Sequence, residues 1–247
     1  MKKETMERLN KIHESIKPKQ SVYQEDTDAL DLYLYGDIEQ RYWKDEAVID
    51  AQSVQEALNS NPNAKDINVY INSCGGDVFE GVAIYNQLKR ANANIHVFVD
   101  GSACSIASII AMAGDTVTMY PTSMMLVHNC WTYTRGNAKE LRKAADDLDK
   151  AMEANRQAYL DKAGDKLSQD KLLELLDSET WLTAQDCLDL GLCDEIKTEE
   201  KPSNPDNDGV NQKVDDYQVF KNCMERYKEE TKIEEKEDQL EETGWFF

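Results

Sequence analysis

Short apolar runs alternate with amphipathic stretches from residue 29 to residue 196. The runs with period-two or β-branched character predict strands over residues 29–36, 67–71, 95–99, 116–120, 124–128 and 193–196. The stretches with helical spacing predict helices over residues 50–60, 78–91, 105–114, 137–163, 171–176 and 184–190. Because strands and helices follow each other in turn, the pattern favours an α/β fold built from crossover units.

Two of these helices carry a prediction about packing. The spacing in the helix over 78–91 directs four side chains toward the core, namely Val78, Val82, Tyr85 and Leu88. The long helix over 137–163 is rich in charge, and four of its apolar side chains are expected to be exposed, namely Leu141, Leu148, Met152 and Tyr159. This is more apolar surface than a monomer should expose, so it predicts an oligomer.

The chain of 247 residues is long enough for one sizeable domain with appendages. Residues 1–20 form a charged leader, and residues 21–197 carry the alternating pattern of a folded domain. Composition changes after Lys197, where prolines, asparagines and acids predict a linker. Residues 198–247 are therefore expected to form an acidic linker and tail, partly helical or disordered, that ends in Trp245-Phe246-Phe247. A solubilising tail and a docking segment with an aromatic anchor are both compatible with it.

Charge and composition narrow the function classes. A formal net charge of −20 argues against nucleic acid or an anionic membrane as a partner. No apolar run is long enough to span a bilayer, and the leader lacks the apolar core of a signal peptide, so we expect a cytoplasmic protein. The six cysteines form no CxxC pair and have no histidine cluster beside them, so neither a metal nor another cofactor is expected.

Ser105 is the first candidate for chemistry. It stands in Gly101-Ser102-Ala103-Cys104-Ser105, among small residues where an apolar strand is expected to turn into a helix. A hydroxyl at that turn lies near free backbone N–H groups that favour negative charge, as a nucleophilic serine and its oxyanion require. Packing alone also explains small residues at such a turn.

Ser105 needs a base, and the chain has only three histidines. His128 ends a predicted strand at the edge where Ser105 is expected, so it is the candidate base. Glu179 precedes a short apolar strand, and its carboxylate would orient the imidazole. Asp177 is the rival carboxylate for that role.

Two backbone N–H groups are candidates for an oxyanion hole. Gly75-Gly76 follows a predicted strand in a turn over residues 72–77, and glycine lets the backbone approach a substrate closely. The N–H groups of Gly76 and Ile106 would converge on the developing charge. A glycine pair also suits any tight turn.

Four motifs in this order resemble the proteolytic subunit of the Clp protease family, in particular its phage and prophage branch. They are Tyr70-Ile71-Asn72-Ser73-Cys74-Gly75-Gly76, Gly101 to Ser108, Met124-Met125-Leu126-Val127-His128, and Trp181-Leu182-Thr183-Ala184. The resemblance spans roughly Leu30 to Ile196, which is most of the expected domain.

The resemblance implies a serine endopeptidase with Ser105 as nucleophile and His128 as base. It implies the Clp/crotonase-type fold of repeated ββα units, with residues 137–163 as a long handle helix. It further implies homo-oligomeric rings, two of which stack through this region around a chamber that holds the active sites. Polypeptide substrate would bind as an added strand along Gly75, Asp77 and Val78.

Two positions depart from the family pattern. Cys74 stands where the family usually has proline, which loosens a turn. Glu179 stands where the housekeeping enzymes have aspartate, and its extra methylene leaves both a Ser-His-Glu triad and a Ser-His dyad open.

The resemblance to the phage branch implies a head-maturation protease that cleaves scaffold or capsid proteins in the cytoplasm of a bacterial host. The alternatives are a degradative peptidase fed by an AAA+ unfoldase and a non-catalytic scaffold of the crotonase fold. A crotonase-like acyl-CoA enzyme shares the fold but has no need of Ser105 with His128.

Overall fold

The structure is a computed structural model that describes residues 28–41 and 48–197. The leader over residues 1–20 and the tail over residues 198–247 lie outside the described residues, so the three-part division of the chain stays a prediction. Within residues 28–41 and 48–197, no helix combines the length and apolar character that crossing a membrane would require.

The described residues form one mixed sheet of seven strands. The strands are β1 (Ala29–Ile38), β2 (Asp66–Gly76), β3 (Asn94–Cys104), β4 (Thr116–Met119), β5 (Met124–Val127), β6 (Thr180–Thr183) and β7 (Glu195–Ile196). The main path runs β1-β2-β3-β4-β7, and all of its pairs are parallel. β5 pairs parallel with β3 and antiparallel with β6.

Six α-helices connect these strands within the described part of the chain. They are α1 (Ala51–Ser60), α2 (Val78–Lys89), α3 (Ile106–Ala111), α4 (Ala138–Ala163), α5 (Gln169–Asp177) and α6 (Ala184–Asp189). Most begin at a residue whose side chain accepts N–H groups of the first turn, as Asn137 does in the capping box of α4 with Glu140. The predicted α/β fold is therefore confirmed, with each predicted helix and strand present.

The core lies on one face of the sheet because alternate residues of each strand point to opposite faces. Leu30, Leu32 and Leu34 of β1 are buried, as are Val97 and Val99 of β3. The intervening residues form the other face, where three half-exposed rings stack across adjacent strands. These rings are Tyr33, Tyr70 and Phe98, with centroids 4.7 and 5.1 Å apart.

β3 pairs with two different strands along its length. Its first half, from His96 to Val99, pairs with β4. Its second half, from Ser102 to Cys104, pairs with β5. The sheet therefore divides at Asp100 and Gly101, and β5 and β6 form a separate arm at the carboxyl end of β3.

Several local expectations need correction. The predicted turn over residues 72–77 is extended backbone, since β2 continues to Gly76 beside β1. The helix after Ser105 runs only over Ile106–Ala111, because tight turns with N–H groups bonded three residues back replace it from Met112 onward. The first difference extends β2 to the site, and the second shortens the helix at the end away from it.

The two packing predictions for helices are partly wrong. The most buried positions of α2 are Gly81, Ile84 and Leu88, so the core face is rotated from the predicted one, and Val82 and Tyr85 lie at its border. In α4, Met152 and Tyr159 are buried within the subunit, while Leu141 remains exposed. The apolar surface that α4 offers to a partner is thus smaller than the sequence pattern indicates.

Candidate functional site

Ser105 lies at the junction of β3 and α3 with a strained backbone. Its φ of 54° and ψ of −127° fall in a region that residues with a side chain rarely adopt. Its N–H donates to the Leu126 carbonyl at 2.9 Å. Although Ser105 is the N-cap residue of α3, its hydroxyl makes no capping hydrogen bond, so it is not used to stabilise the helix.

Gly75 lies directly against Ser105. A Cβ atom on Gly75 would stand 2.7 Å from both the Cys104 carbonyl oxygen and the Ser105 Cβ. Its φ of 92° is also one that glycine alone adopts readily. The end of β2 therefore reaches the Ser105 backbone only because residue 75 has no side chain.

Strand register brings His128 and Glu179 to the same edge of the sheet. Cys104 pairs with Leu126, so Ser105 and His128 follow the ends of neighbouring parallel strands. Val127 pairs with Thr180 in the antiparallel β5–β6 pair, so Glu179 is the next residue opposite His128. Neighbouring strands lie about 4.8 Å apart, so the three backbones are close.

The His128 ring is held by the backbone next to it. Its Nδ1 lies 2.6 Å from the Asn129 carbonyl oxygen. A carbonyl only accepts, so Nδ1 carries the proton and Nε2 is the ring nitrogen with a free electron pair. Between the described Ser105 and His128 side chains no hydrogen bond is present.

The two candidate acids occupy different positions. Asp177 ends α5, and its Oδ1 accepts a hydrogen bond of 2.8 Å from the Asn129 side-chain amide. It thus reaches His128 through Asn129. Glu179 is exposed, with a φ of 47° and its N–H donated to the Leu176 carbonyl.

The N–H groups at the end of β2 have different partners. The Asp77 N–H donates to the Ile38 carbonyl of β1 at 2.7 Å, so the Gly76 N–H does not use that acceptor. Gly76 itself follows Gly75, which lies against Ser105. The Ile106 N lies 3.3 Å from the position of a Cβ on Gly75, in the first turn of α3, where N–H groups have no partner within the helix. Both predicted oxyanion donors are therefore near Ser105.

The end of β2 extends past its last pair with β3. β2 pairs with β1 as far as Gly76, but its pairing with β3 ends at Ser73. Gly75, Asp77 and Val78 follow that last pair, but Gly75 lies against Cys104 and Ser105, and Val78 is the first residue of α2, so the predicted substrate strand stays a prediction. The Asp77 carboxylate is committed to capping α2, where it accepts from the N–H groups of Phe79 and Glu80.

Neither a second nucleophile at Cys104 nor a metal ion is indicated at the site by the residues that the structure describes. The Cys104 thiol is buried, and burial raises its pKa to about 12, so it stays protonated. Within residues 28–41 and 48–197, no group of His, Cys, Asp and Glu side chains is arranged to hold a metal ion. Sequence reasoning missed two contacts here, namely Asn129 beside His128 and Ser108 beside the Ser105 carbonyl.

A family model described as Clp protease matches residues 29–200. This chain belongs to the Clp protease family. The match takes in every described strand and helix and all of the candidate site residues.

Relatives carry the same family name. The chain is 32% identical to the "ATP-dependent Clp protease proteolytic subunit" of Ligilactobacillus salivarius over 146 residues, which are 58% of this chain and 73% of the relative. It is 30% identical to the protein of the same description from Bacteroides fragilis over 141 residues, which are 56% of this chain and 67% of the relative.

Solved structures support the fold. A mutant of ClpP1 from Listeria monocytogenes superposes with a TM-score of 0.59 and 21% sequence identity, covering 69% of this chain and 92% of that chain. The predicted Clp/crotonase-type fold is therefore confirmed, and α4 covers the residues for which the long helix was predicted. As a Clp protease family member, the chain falls in the peptidase class of hydrolases.

Proposed function

We propose that this Clp protease family member is a serine endopeptidase in which Ser105 is the nucleophile and His128 the general base. The observation that carries the proposal is the strained Ser105 backbone, with its hydroxyl unused in capping, at the strand end next to that of His128. Strain of this kind persists where the surroundings fix it and is common at active sites.

The geometry supports a definite sequence of proton transfers. His128 Nε2 takes the Ser105 hydroxyl proton as Oγ attacks the substrate carbonyl, and the Gly76 and Ile106 N–H groups stabilise the resulting oxyanion. The imidazolium gives that proton to the leaving amine, and an acyl-enzyme forms. Water then attacks the ester with His128 as base, which releases the acid and restores Ser105.

Two carboxylates are candidates for orienting the His128 ring. We propose Glu179 for it, because Glu179 is the residue opposite His128 in the β5–β6 register. Asp177 is the alternative, acting through Asn129. If neither carboxylate contributes, the Asn129 carbonyl alone holds the ring as part of a Ser-His dyad.

Substrate is proposed to be a polypeptide in extended form that pairs with the end of β2 past Ser73, at Gly75 and Asp77. Val78, the third predicted residue, is the first residue of α2 and offers no strand edge. Assembly into a homo-oligomeric ring, with two rings stacked as a further step, is supported by exposed apolar side chains after β5 and at the start of α4. These are Trp131, Tyr133 and Leu141, exposed by 53%, 57% and 43%.

For the biological role we propose a phage or prophage head-maturation protease that cleaves scaffold or capsid proteins in the bacterial cytoplasm. The alternative is a degradative subunit fed by an AAA+ unfoldase, which the ATP-dependent description of the relatives favours. The third hypothesis is a non-catalytic scaffold of the crotonase fold.

Labelling with a fluorophosphonate probe, combined with native mass, tests the proposal on the full chain and on a truncation after Lys197. We expect one label per subunit on Ser105, none in Ser105→Ala, and a ring-sized mass. Ser123→Ala is the matched control, since it removes a buried serine at the far end of β5. Label retained in Ser105→Ala would overturn the assignment, and an unlabelled wild type would favour the scaffold.

A further inference from the structure

A buried pair of hydroxyls contacts the Ser105 backbone. Ser108, in α3, donates its hydroxyl to the Ser105 carbonyl oxygen. The Ser108 Oγ also lies 2.6 Å from the Tyr159 hydroxyl of α4. Ser108 is 0% exposed and Tyr159 is 1% exposed, so water cannot replace either partner.

The direction of these hydrogen bonds follows from the number of protons. The Ser105 carbonyl only accepts, so the single proton of the Ser108 hydroxyl is donated to it. The Tyr159 hydroxyl must then donate to Ser108. Burial raises the pKa of Tyr159, which keeps that proton in place across the working pH range.

The pair completes a clamp on a strained residue. On one side the Ser105 N–H is held by the Leu126 carbonyl, and on the other the Ser105 carbonyl accepts both the N–H of Ser108 at 3.0 Å and its hydroxyl. A backbone with φ of 54° relaxes unless such contacts fix it. Because the Ser105 carbonyl oxygen accepts two hydrogen bonds, rotation of this peptide group would break both of them.

We propose that Ser108 and Tyr159 are positioning residues that hold the Ser105 backbone in its strained conformation, so that Oγ and the Ile106 N–H keep their relative orientation. This inference rests on the proposed function of Ser105. The two residues act through the Ser105 carbonyl and touch neither substrate nor the reacting atoms.

The test compares Ser108→Ala, Tyr159→Phe and the double variant with wild type and with Ser123→Ala, all as the full chain. Fluorophosphonate labelling rate, peptide kcat and KM, and Tm are measured. We expect Ser108→Ala to slow labelling and lower kcat by about 2-fold to 10-fold at unchanged KM, the effect of losing one hydrogen bond. Tyr159→Phe should have a smaller effect, because Ser108 still donates to Ser105.

The double variant separates positioning from mere packing. Ser108→Ala leaves the buried Tyr159 hydroxyl without its partner and lowers Tm, whereas adding Tyr159→Phe removes that hydroxyl and restores much of the Tm. We expect the double variant to regain Tm but stay slow in labelling, while Ser123→Ala loses Tm and labels at the wild-type rate.

Two results would overturn the inference. Labelling that recovers together with Tm in the double variant, or wild-type labelling in Ser108→Ala, would mean that the pair only packs, with the proposed function intact. A wild type that never labels at Ser105 would instead remove the proposed function and the positioning role with it.

Discussion

The Nδ1 of His128 lies 2.6 Å from the carbonyl oxygen of Asn129, its neighbour in the chain. This contact fixes the tautomer that a general base needs, and it does so without a carboxylate. The Asn129 side chain is in turn held by Asp177. The ring is thus oriented by the backbone first, and the contribution of a carboxylate can be measured separately.

Replacing Glu179 and Asp177 by alanine, one at a time, measures how much each carboxylate contributes to kcat. We expect Glu179→Ala to lower kcat by roughly 10-fold to 10⁴-fold, the upper end being the loss when a triad acid is disabled. Asp177→Ala should lower kcat less than tenfold, because it loosens Asn129 without removing the carbonyl. Glu174→Gln, an exposed acid on α5, is the control. The reverse order would assign the role to Asp177, and two unaffected variants would indicate a dyad.

Gly75→Ala is expected to abolish probe labelling. The added Cβ would meet the Cys104 oxygen and the Ser105 Cβ at 2.7 Å, which forces the end of β2 away from the nucleophile. Gly36→Ala is the matched control, because Gly36 also has a positive φ of 116° but open space around it. A Gly75→Ala variant that labels at the rate of Gly36→Ala would contradict this account of the close approach.

Cys104 should resist alkylation in the folded protein. Its thiol is buried with a pKa of about 12, so almost none is thiolate at pH 8. Iodoacetamide at pH 8 followed by peptide mass analysis should modify the half-buried Cys130 first and Cys104 only after unfolding. Rapid modification of Cys104 that also blocks the probe would place a second nucleophile at the site.

Asp186 gives a pH-dependent contribution to stability. Its carboxylate accepts from the side chain and the backbone of Thr183 in the capping box of α6, and these hydrogen bonds lower its pKa below the usual 3.8. The stabilisation is therefore present above pH 4 and is lost as pH falls through the lowered pKa.

Asp186→Asn should accordingly lower stability by less than about 1 kcal/mol at pH 7, since the exposed carboxylate is screened by solvent. The difference in Tm from wild type should shrink toward pH 3. Asp189→Asn, at the other end of α6, is the control. A difference that grows on acidification would show that the lowered pKa has another origin.

The sequence predicts the order of elements well because periodicity reports burial, and burial decides each strand and helix here. Sequence patterns fail where contacts between distant segments determine how far a strand extends or which side chain is buried. β2 continues past Asn72 because β1 offers hydrogen bonds as far as Ile38, which no local pattern records. Tyr159 fits a surface stripe by spacing, yet it is packed in the core, where Ser108, 51 residues away, is the hydrogen-bond partner of its hydroxyl.

In the candidate site, too, the local sequence pattern identifies some residues, whereas others become apparent only in the folded structure. Ser105 and His128 stand out because strand ends and residue type identify them. The Asn129 carbonyl does not, since every residue has one and only the folded loop aims it at the ring. The side-chain amide contact with Asp177 likewise depends on where α5 ends.

The pairing of Val127 with Thr180 has a consequence for the whole chain between them. The polypeptide leaves the sheet at one strand and returns at its antiparallel neighbour, so residues 128–179 are in topological terms a single oversized hairpin loop. Insertions or deletions in α4 and α5 change the size of that loop without shifting the register of its two stems. Evolution can therefore remodel the outer part of the subunit while His128 and Glu179 keep facing each other.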